Sequence, residues 1–495
     1  MHDSSGGARG RLAPYVVQRE LNEPVTLISG PLSLLGPQSG VLDSNLVFRW
    51  APSTSVEFEG SYSEETVDTS VDVEWHLRLG EADSQVPVFL TEANQGPPTI
   101  VRGFASQPFN IGNAPFDVLR FSLANFPQYR GSPVRFEREG ASGVPHGRLQ
   151  VEGDTGACRL DEVAEARELN ERARRGAGFV VSHVGEWIPY SGSMTADEAA
   201  ATLDMLRLWF GLLRGAWCGP LFPQGLIGDE VVWRQIAAWY LGVSRRVPVW
   251  LPQRAQVDLA PMFAGFVRRW SDVAWREPLK SAISWLVEAN SHRVAMESKI
   301  ILSQVALETL AWVHIVETQR LHSRADFGRL TAAGRVRTLL QVVGIPMTIP
   351  DHMTLLPILC DGDSADGPGV FTRVRNALVH ATEEKRTFIE AIDGPTRYQC
   401  SQLGLQYLEL CLLGICGYSG KYADGEDASS LTMRCRCRGP SDGDAPLFGV
   451  ASTPPSCLWT CLPRRPHSLM NSTSTIPGTA VLPSPRRHPG TGNTA

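Results

Sequence analysis

The chain has 495 residues, of which 43% are hydrophobic and 20% charged, a composition typical of a globular protein. Its formal net charge of −6 excludes a globally basic, polyanion-binding protein, so any contact with nucleic acid must use a local basic patch. The first residues have no signal-peptide core, and the most apolar long run, 300–316, is shorter than the ~20 residues that a bilayer span needs. We therefore expect a cytoplasmic protein that contacts no membrane and keeps its scattered cysteines reduced.

Residues 1–24 are expected to be flexible, and residues 25–155 are expected to form a β-rich, sandwich-like or barrel-like domain. Short runs such as 45–50 and 71–79 alternate apolar and polar side chains, and Gly, Pro, Ser and Asn separate them. A period of two predicts strands with one wet face. Nothing in this region has catalytic spacing, so the domain is either a scaffold or a recognition or sensing module.

Residues 156–258 form a mixed α/β region. The composition of 160–174 predicts a helix and the apolar run 178–184 a strand. Thr195 and Glu198 form a capping box that opens a helix running to about residue 213. Residues 231–240 fit a strand or a helix. His183 and the tryptophans of this region are interpreted as core residues.

From residue 259 to 422 the apolar spacing becomes helical, which predicts an all-α unit. The expected helices are 263–275, 278–288, 292–316, 324–343, a helix around 371–381, and 396–416. Residues 361–368 imitate a calcium-binding loop, but Ala365 replaces a ligand and the terminal glutamate is missing. No metal site is expected there.

Residues 423–495 form a tail rich in Pro, Ser, Thr, Gly and Arg without apolar period, which predicts disorder. Its abrupt onset also resembles a GC-rich gene translated out of frame. Cys435, Cys437, Cys457, Cys461 and His467 fit no common zinc module, so no metal or cofactor is expected.

The stretch 371–381, F-T-R-V-R-N-A-L-V-H-A, places polar residues inside an apolar helical run. On a continuous helix Asn376 and His380 would lie about 40° apart, and the long side chain of Arg375 could bend towards the same face. Arg373 would lie within about 20° of His380. One helix could thus present a cation, an amide and a titratable base to one phosphate.

This R-N-x-x-x-H element, placed in a helical unit after a long helix containing Glu297 and Glu308, resembles the HEPN superfamily. More narrowly, residues 370–381 are similar to the R-N-x-x-V-H segment of the Apea-like HEPN ribonucleases of bacterial anti-phage defence. The resemblance covers roughly residues 260–422. It implies a helical HEPN bundle that forms a homodimer, in which two motifs meet in one cleft.

The resemblance also implies metal-independent cleavage of RNA by its own 2′-hydroxyl. His380 would act as the base and acid, Arg375 would bind the phosphate, and Asn376 would orient the phosphate or the imidazole. Arg373 is expected to be an outer substrate-binding residue, because the asparagine follows Arg375. The N-terminal regions would then sense a phage or host trigger molecule or select the RNA.

Two other functions remain open from the sequence. A non-catalytic HEPN module could use Arg375 and His380 to bind a nucleotide or RNA. Alternatively, the helical unit could serve dimerisation alone, with Arg375 paired to an acidic residue such as Glu383 or Glu384 on a solvated face.

Overall fold

The protein was analysed as a computed structural model, which describes residues 10–37, 39–63, 73–79, 85–94, 98–129, 131–133, 136–138, 141–143, 146–176, 178–242, 250–251, 257–380, 382–423 and 432–434. These residues form an N-terminal β-barrel, a second antiparallel sheet and a C-terminal helical bundle. Most of the predicted tail lies outside the described residues.

The N-terminal region is a closed barrel and not a sandwich. Its strands are β1 (Val25–Ile28), β2 (Pro31–Leu35), β3 (Gly40–Arg49), β4 (Ser55–Tyr62), β5 (Trp75–Arg78), β6 (Gln85–Asn94) and β7 (Thr99–Ala105). The order is β1-β3-β2-β5-β6-β7-β4, and the additional β3–β4 pairing closes a ring of six strands. Strands β1 and β2 pair with successive parts of the same edge of β3. Alternating inward residues such as Leu42, Leu46 and Phe48 fill the barrel.

The second sheet has eight strands in the order β10-β13-β14-β15-β9-β16-β17-β8, with all neighbours antiparallel. They are β8 (Phe109–Ile111), β9 (Val118–Ala124), β10 (Ser132–Pro133), β13 (His146–Glu152), β14 (Gly156–Glu162), β15 (Val181–Pro189), β16 (Leu221–Ile227) and β17 (Glu230–Ile236). A separate hairpin joins β11 (Phe136–Arg138) to β12 (Ala141–Gly143).

This sheet extends across the expected boundary between residues 155 and 156. Strands β9 and β13 precede that boundary and pair with β14, β15 and β16, which follow it. The change of sheet falls at residues 106–108, between β7 and β8. Short alternating runs separated by turn residues occur on both sides of residue 106, so the sequence pattern could not predict where one sheet ends and the next begins.

The helix expected at 160–174 begins later than expected. Leu160 to Glu162 belong to β14, where they pair with Val184 and its neighbours in β15. Sheet pairing therefore overrides the local helical composition. The helix α1 follows at Arg167–Gly176. Residues 231–240, which fit either element, form the strand β17 at their start.

Helix α2 (Ala196–Arg214) separates the second sheet from the helical bundle. Thr195 and Glu198 make the predicted capping box, and Gly215 ends the helix in the left-handed region at φ 67°. Phe210 contacts Phe121 of the sheet, whereas Trp209 contacts Phe263 of the bundle with ring centroids 5.0 Å apart. Both faces of α2 are thus buried, and the sheet and the bundle share one core.

The bundle contains α3 (Ala260–Ser271), α4 (Val273–Asn290), α5 (Met296–Ala311), α6 (Arg324–Arg329), α7 (Ala332–Val343), α8 (Gly367–Val379), α9 (Glu383–Ala391) and α10 (Gly394–Ile415). Residues 312–318 continue α5 as a π-helical segment. The helix expected at 324–343 is divided, because Thr331 caps a new helix by accepting a hydrogen bond from the Gly334 N–H. The β-rich and helical halves agree with the predicted α+β class.

One helical stretch, Met296–Thr318, is long and apolar enough to cross a membrane, with a mean hydropathy of 1.4. It is the central helix of the bundle, and 61% of its most apolar window is buried inside the protein. A buried position of this kind is that of a core helix in a soluble protein.

The N-terminal segment 10–24 runs along the second sheet before it enters the barrel. The Leu12 N–H donates to Asp161, the Tyr15 hydroxyl donates to the Phe222 carbonyl, and the Val181 N–H donates to Gln18. After the barrel the chain continues into β8, which is a strand of the second sheet. The barrel is therefore inserted between residues 10–24, which contact the second sheet, and β8, which belongs to it. Residues 10–24, the described part of the segment that was expected to be flexible, are therefore held in place by hydrogen bonds.

Candidate functional site

Residues 371–379 of the predicted motif lie on α8, whose start is fixed by a carboxylate. Asp366 is the N-cap and accepts a hydrogen bond from the Gly369 N–H at 2.8 Å. Arg337 donates to both carboxylate oxygens of Asp366, at 2.8 and 2.9 Å. Burial raises the pKa of Asp366, but Arg337 and the Gly369 N–H outweigh burial and bring the pKa below its usual range.

The buried face of α8 packs closely on α5 and α10. Val370, Phe371 and Val374 are fully buried. The Phe371 ring lies where Gly404 of α10 leaves no side chain, since a Cβ there would lie 2.4 Å from the ring. The Thr372 hydroxyl donates to the side-chain oxygen of Gln304 at 3.4 Å. These contacts fix the rotation of α8 and so the direction of its polar residues.

Arg375 and Asn376 are brought together near the end of α8. A terminal nitrogen of Arg375 donates to the side-chain oxygen of Asn376 at 3.1 Å. The Nε of Arg375 is buried and has no hydrogen-bond partner among the described residues. The Asn376 oxygen thus holds one branch of the guanidinium and leaves the Nε–H donor uncommitted.

His380 lies one residue beyond the last residue of α8 and is exposed. Its backbone is extended, at φ −109° and ψ 103°, so the angles predicted for a continuous helix do not apply to it. The His380 N–H donates to the Asn376 carbonyl at 3.1 Å, and its own carbonyl accepts from the Thr382 N–H at 2.9 Å. The backbone is therefore fixed on both sides while the imidazole faces solvent.

Arg373 is held on another side of α8. It donates to the Leu359 carbonyl at 3.1 Å, lies 3.7 Å from a carboxylate oxygen of Asp361, and stacks over the Phe388 ring at 4.5 Å from its centroid. With 37% of the side chain exposed, Arg373 still presents charge to solvent. The predicted substrate-binding arginine therefore already has partners in the bundle.

A cavity of about 520 Å³ lies against Arg375 on the α5 side of α8. Its wall includes Glu308 of α5, Trp312 and Glu317 of the π-helical segment, and Arg335 of α7. Arg335 donates to Glu308 at 3.0 Å, and its Nε is also buried without a partner in the described part of the chain. No local sequence pattern predicted this cavity, because its residues come from six elements, namely α4, α5, the π-helical segment, α6, α7 and α8.

No group of three or more His, Cys, Asp or Glu side chains arranged to hold a metal ion occurs within the described ranges. The residues that the sequence placed in a calcium-like loop, 361–368, include Asp361, which lies near Arg373, and Asp366, which caps α8. Both carboxylates thus have structural roles. The cysteines and His467 of the tail lie outside the described residues.

Two family models match the chain in the regions just described. Residues 112–247, which contain most of the second sheet and α2, match the YopA central domain. Residues 272–431, which contain α4 to α10 and the candidate site, match the YopA C-terminal domain. The second sheet and the bundle are therefore similar to a pair of domains that also occurs in other proteins.

A relative named SPbeta prophage-derived uncharacterized protein YopA, from Bacillus subtilis (strain 168), is 24% identical to the chain over 425 residues. The similarity covers 82% of this chain and 93% of the relative. No solved structure matches the chain.

Proposed function

We propose that the protein is a metal-independent endoribonuclease of HEPN type whose primary site residues are Arg375, Asn376 and His380. The observation that carries this proposal is the end of α8. There, Arg375 is hydrogen-bonded to Asn376 and has no described carboxylate partner, and an exposed imidazole follows on a fixed backbone. A cation, an amide and a base at one helix end supply the groups that cleavage of RNA requires.

The reaction needs no metal, because RNA provides its own nucleophile. His380 removes the proton of the 2′-hydroxyl, whose oxygen attacks the adjacent phosphorus atom while the bond to the 5′-oxygen breaks. Arg375 offsets the charge on the phosphate oxygens in the transition state. Asn376 holds the guanidinium in position through the 3.1 Å hydrogen bond.

A homodimer would complete the site, since one imidazole cannot be base and acid at the same time. The protonated His380 imidazole of the second copy would donate the proton that the leaving 5′-oxygen takes up. The exposure of His380 leaves it accessible to a second copy of the chain. Ile358, with 83% of its surface exposed, lies beside Leu359, whose carbonyl binds Arg373 on α8. Val379, 45% exposed, directly precedes His380. These apolar side chains near α8 support an isologous contact between two copies.

The biological setting that we propose is conflict between phage and bacterial cell, in the cytoplasm. The relative that matches most of the chain is prophage-derived. A nuclease that attacks cellular RNA would act in such a conflict, with the barrel and the second sheet sensing a phage or host trigger or selecting the RNA.

A non-catalytic HEPN module that binds a nucleotide or RNA is the second candidate. It is favoured by the direction of Arg375, which lines the cavity beside α5 and makes no described contact with the His380 imidazole. In that case α8 would bind phosphate without cleaving it.

Cleavage of RNA by the purified full-length protein tests the first candidate. In the presence of EDTA we expect wild-type protein to cleave RNA and His380→Ala to be slower by roughly 10²- to 10⁴-fold, the contribution of a general acid–base group. Arg375→Lys should also slow cleavage, because a lysine cannot donate two parallel hydrogen bonds to a phosphate.

His292→Ala is the matched control, since His292 is an exposed histidine in the connection between α4 and α5. It should cleave at the wild-type rate. Cleavage that persists in His380→Ala, or that EDTA abolishes, would reject the ribonuclease. RNA binding without cleavage by the wild type would favour the binding module.

A further inference from the structure

Two arginines, Arg335 and Arg375, line the cavity. Arg335 has the Glu308 carboxylate as its ion-pair partner at 3.0 Å, whereas no described carboxylate pairs with Arg375. The positive charge of Arg375 at the cavity wall therefore has no described counter-ion, which favours an anionic oxygen bound there.

The same cavity has an aromatic wall. Trp312 and Phe327 meet edge to face, with ring centroids 5.7 Å apart, and both line the cavity. Trp312 is the ring on which a flat base can stack, because Phe327 is only 2% exposed and has Arg335 over its ring. The volume of about 520 Å³ lies within the roughly 300–1,000 Å³ range of small-molecule sites.

A carboxylate lies at the aromatic wall. One oxygen of Glu317 accepts a hydrogen bond from the Trp312 Nε1–H at 2.7 Å. The side chain of Glu317 is exposed at the mouth and has no described cation as partner, so its other oxygen can accept from a ligand. Carboxylates recognise paired N–H donors such as those on the Watson–Crick edge of guanine.

The backbone at this wall is also unusual. Trp312, Val313 and Glu317 belong to the seven-residue π-helical segment 312–318. Such segments are rare and occur frequently at functional sites, because the widened turn redirects side chains. Here the segment contributes a tryptophan and a glutamate to the cavity that Arg335 and Arg375 also line.

We propose that this cavity binds one guanosine monophosphate unit. The phosphate contacts Arg375, the base stacks on Trp312, and the N1–H and 2-amino group of the base donate to Glu317. The unit is either a free nucleotide or one nucleotide of an RNA strand. The second case rests on the proposed ribonuclease function, because it makes the cavity the subsite that selects the base next to the cleaved bond.

Calorimetric titration of the full-length protein with GMP, UMP and inorganic phosphate tests the proposal. We expect GMP to bind more tightly than UMP and than phosphate alone. Glu317→Gln and Trp312→Leu should each weaken GMP binding roughly tenfold, the loss typical of one charged hydrogen bond or one stacking contact. Glu390→Gln, at an exposed glutamate of α9, is the matched control and should bind like the wild type.

Because Trp312 is partly buried, its variant is compared with the wild type by thermal melting, whereas Glu317 is exposed and its variant is expected to fold normally. GMP binding no tighter than phosphate binding, or equal weakening in Glu317→Gln and Glu390→Gln, would overturn the proposal. Competitive inhibition of RNA cleavage by GMP would assign the cavity to a nucleotide of RNA. Binding without competition would assign it to a free nucleotide.

The two proposals can fail separately. RNA cleavage that depends on His380, without GMP binding, leaves the ribonuclease and removes the guanosine subsite. Binding of GMP that Glu317→Gln weakens, without any cleavage, leaves the subsite and removes the ribonuclease.

Discussion

Two buried histidines show how strongly single residues depend on their surroundings. His183 is 1% exposed, contacts the Phe126 ring, and its Nδ1 lies 3.0 Å from the Ser182 hydroxyl. Burial lowers its pKa to about 4. His314 of the π-helical segment is 7% exposed and packs against Trp275. Burial, with a smaller contribution from Arg269, lowers the pKa of His314 to about 4 as well.

These depressed pKa values predict a loss of stability on mild acidification. Each histidine binds a proton near pH 6.5 in the unfolded chain but only near pH 4 in the folded protein. The contribution of the neutral histidine to the free energy of unfolding is therefore fully present above pH 6.5 and is lost as the pH falls from 6.5 to 4. Each histidine should contribute about 3 kcal/mol to this loss. Urea unfolding of His314→Phe between pH 7 and pH 4 should show a shallower dependence by about one proton.

His183→Phe should show the same change, because burial lowers the pKa of His183 in the same way. An unchanged slope in His314→Phe would contradict a neutral buried imidazole.

At the residue scale the sequence predicted that Arg375 and Asn376 lie on a helix, but it did not predict the direction of the His380 side chain. The helical spacing around Arg375 and Asn376 correctly placed both on one helix. The direction of His380 could not be predicted, because α8 ends at Val379 and Glu383 begins α9. Two acidic residues, Glu383 and Glu384, mark that new helix start in the sequence, and they could have indicated the break.

At the scale of elements, two glycines allow α8 to pack closely against its neighbouring helices. The Phe371 ring fills the space above Gly404, where a Cβ would also lie 3.2 Å from Ser303 of α5. At the start of α8, a Cβ on Gly367 would lie 2.0 Å from the Tyr407 hydroxyl of α10. The missing side chains thus let three helices approach closely at the level of the candidate site.

Gly404→Ala should therefore destabilise the bundle although alanine favours helices. The added methyl group must displace Phe371, and overpacking of this kind typically costs about 1–3 kcal/mol. Gly328→Ala, in the helix α6 and with nothing within 4 Å of the added carbon, is the matched control and should be neutral or slightly stabilising. Chemical denaturation measures both variants, and equal stabilities would refute the close contact.

Local sequence patterns predicted single helices and strands. They could not predict features that depend on pairing between strands distant in the sequence. The capping box at Thr195 and the helix α10 appear where the sequence placed them. Closure of the barrel depends on pairing of β4 with β7, whose residues lie about 40 positions apart, and no local pattern encodes that choice. The cavity beside Arg375 could not be predicted for the same reason.

At the scale of the whole molecule, the ordered bundle ends close to where the composition changes. Tyr422 is 3% exposed and donates to Glu409 of α10 at 2.7 Å, and β18 (Lys421–Ala423) pairs with β19 (Thr432–Arg434). The similarity to the YopA C-terminal domain ends at residue 431. The sequence placed the change at about Asp424, a few residues earlier.

Removal of residues beyond 434 should leave folding and dimerisation unchanged, as expected if the tail is an out-of-frame or otherwise unstructured segment. Truncation after Gly417 is the contrasting variant, because it removes Tyr418 and Tyr422, which are both buried. Thermal melting should show a large drop for this second variant alone. A similar drop on removal of 435–495 would show that the tail contributes to the fold.

The barrel is inserted between residues 10–24 and β8, so it cannot be replaced independently of the second sheet. The barrel core includes Val181 of β15, Leu221 of β16 and Phe179, which lies just before β15. Trp50 of the barrel stacks on Phe179. A module exchanged as a cassette needs one boundary on each side and a core of its own. This barrel has two covalent connections to one neighbour and shares its core, so any replacement must match both junctions and the shared apolar surface at once.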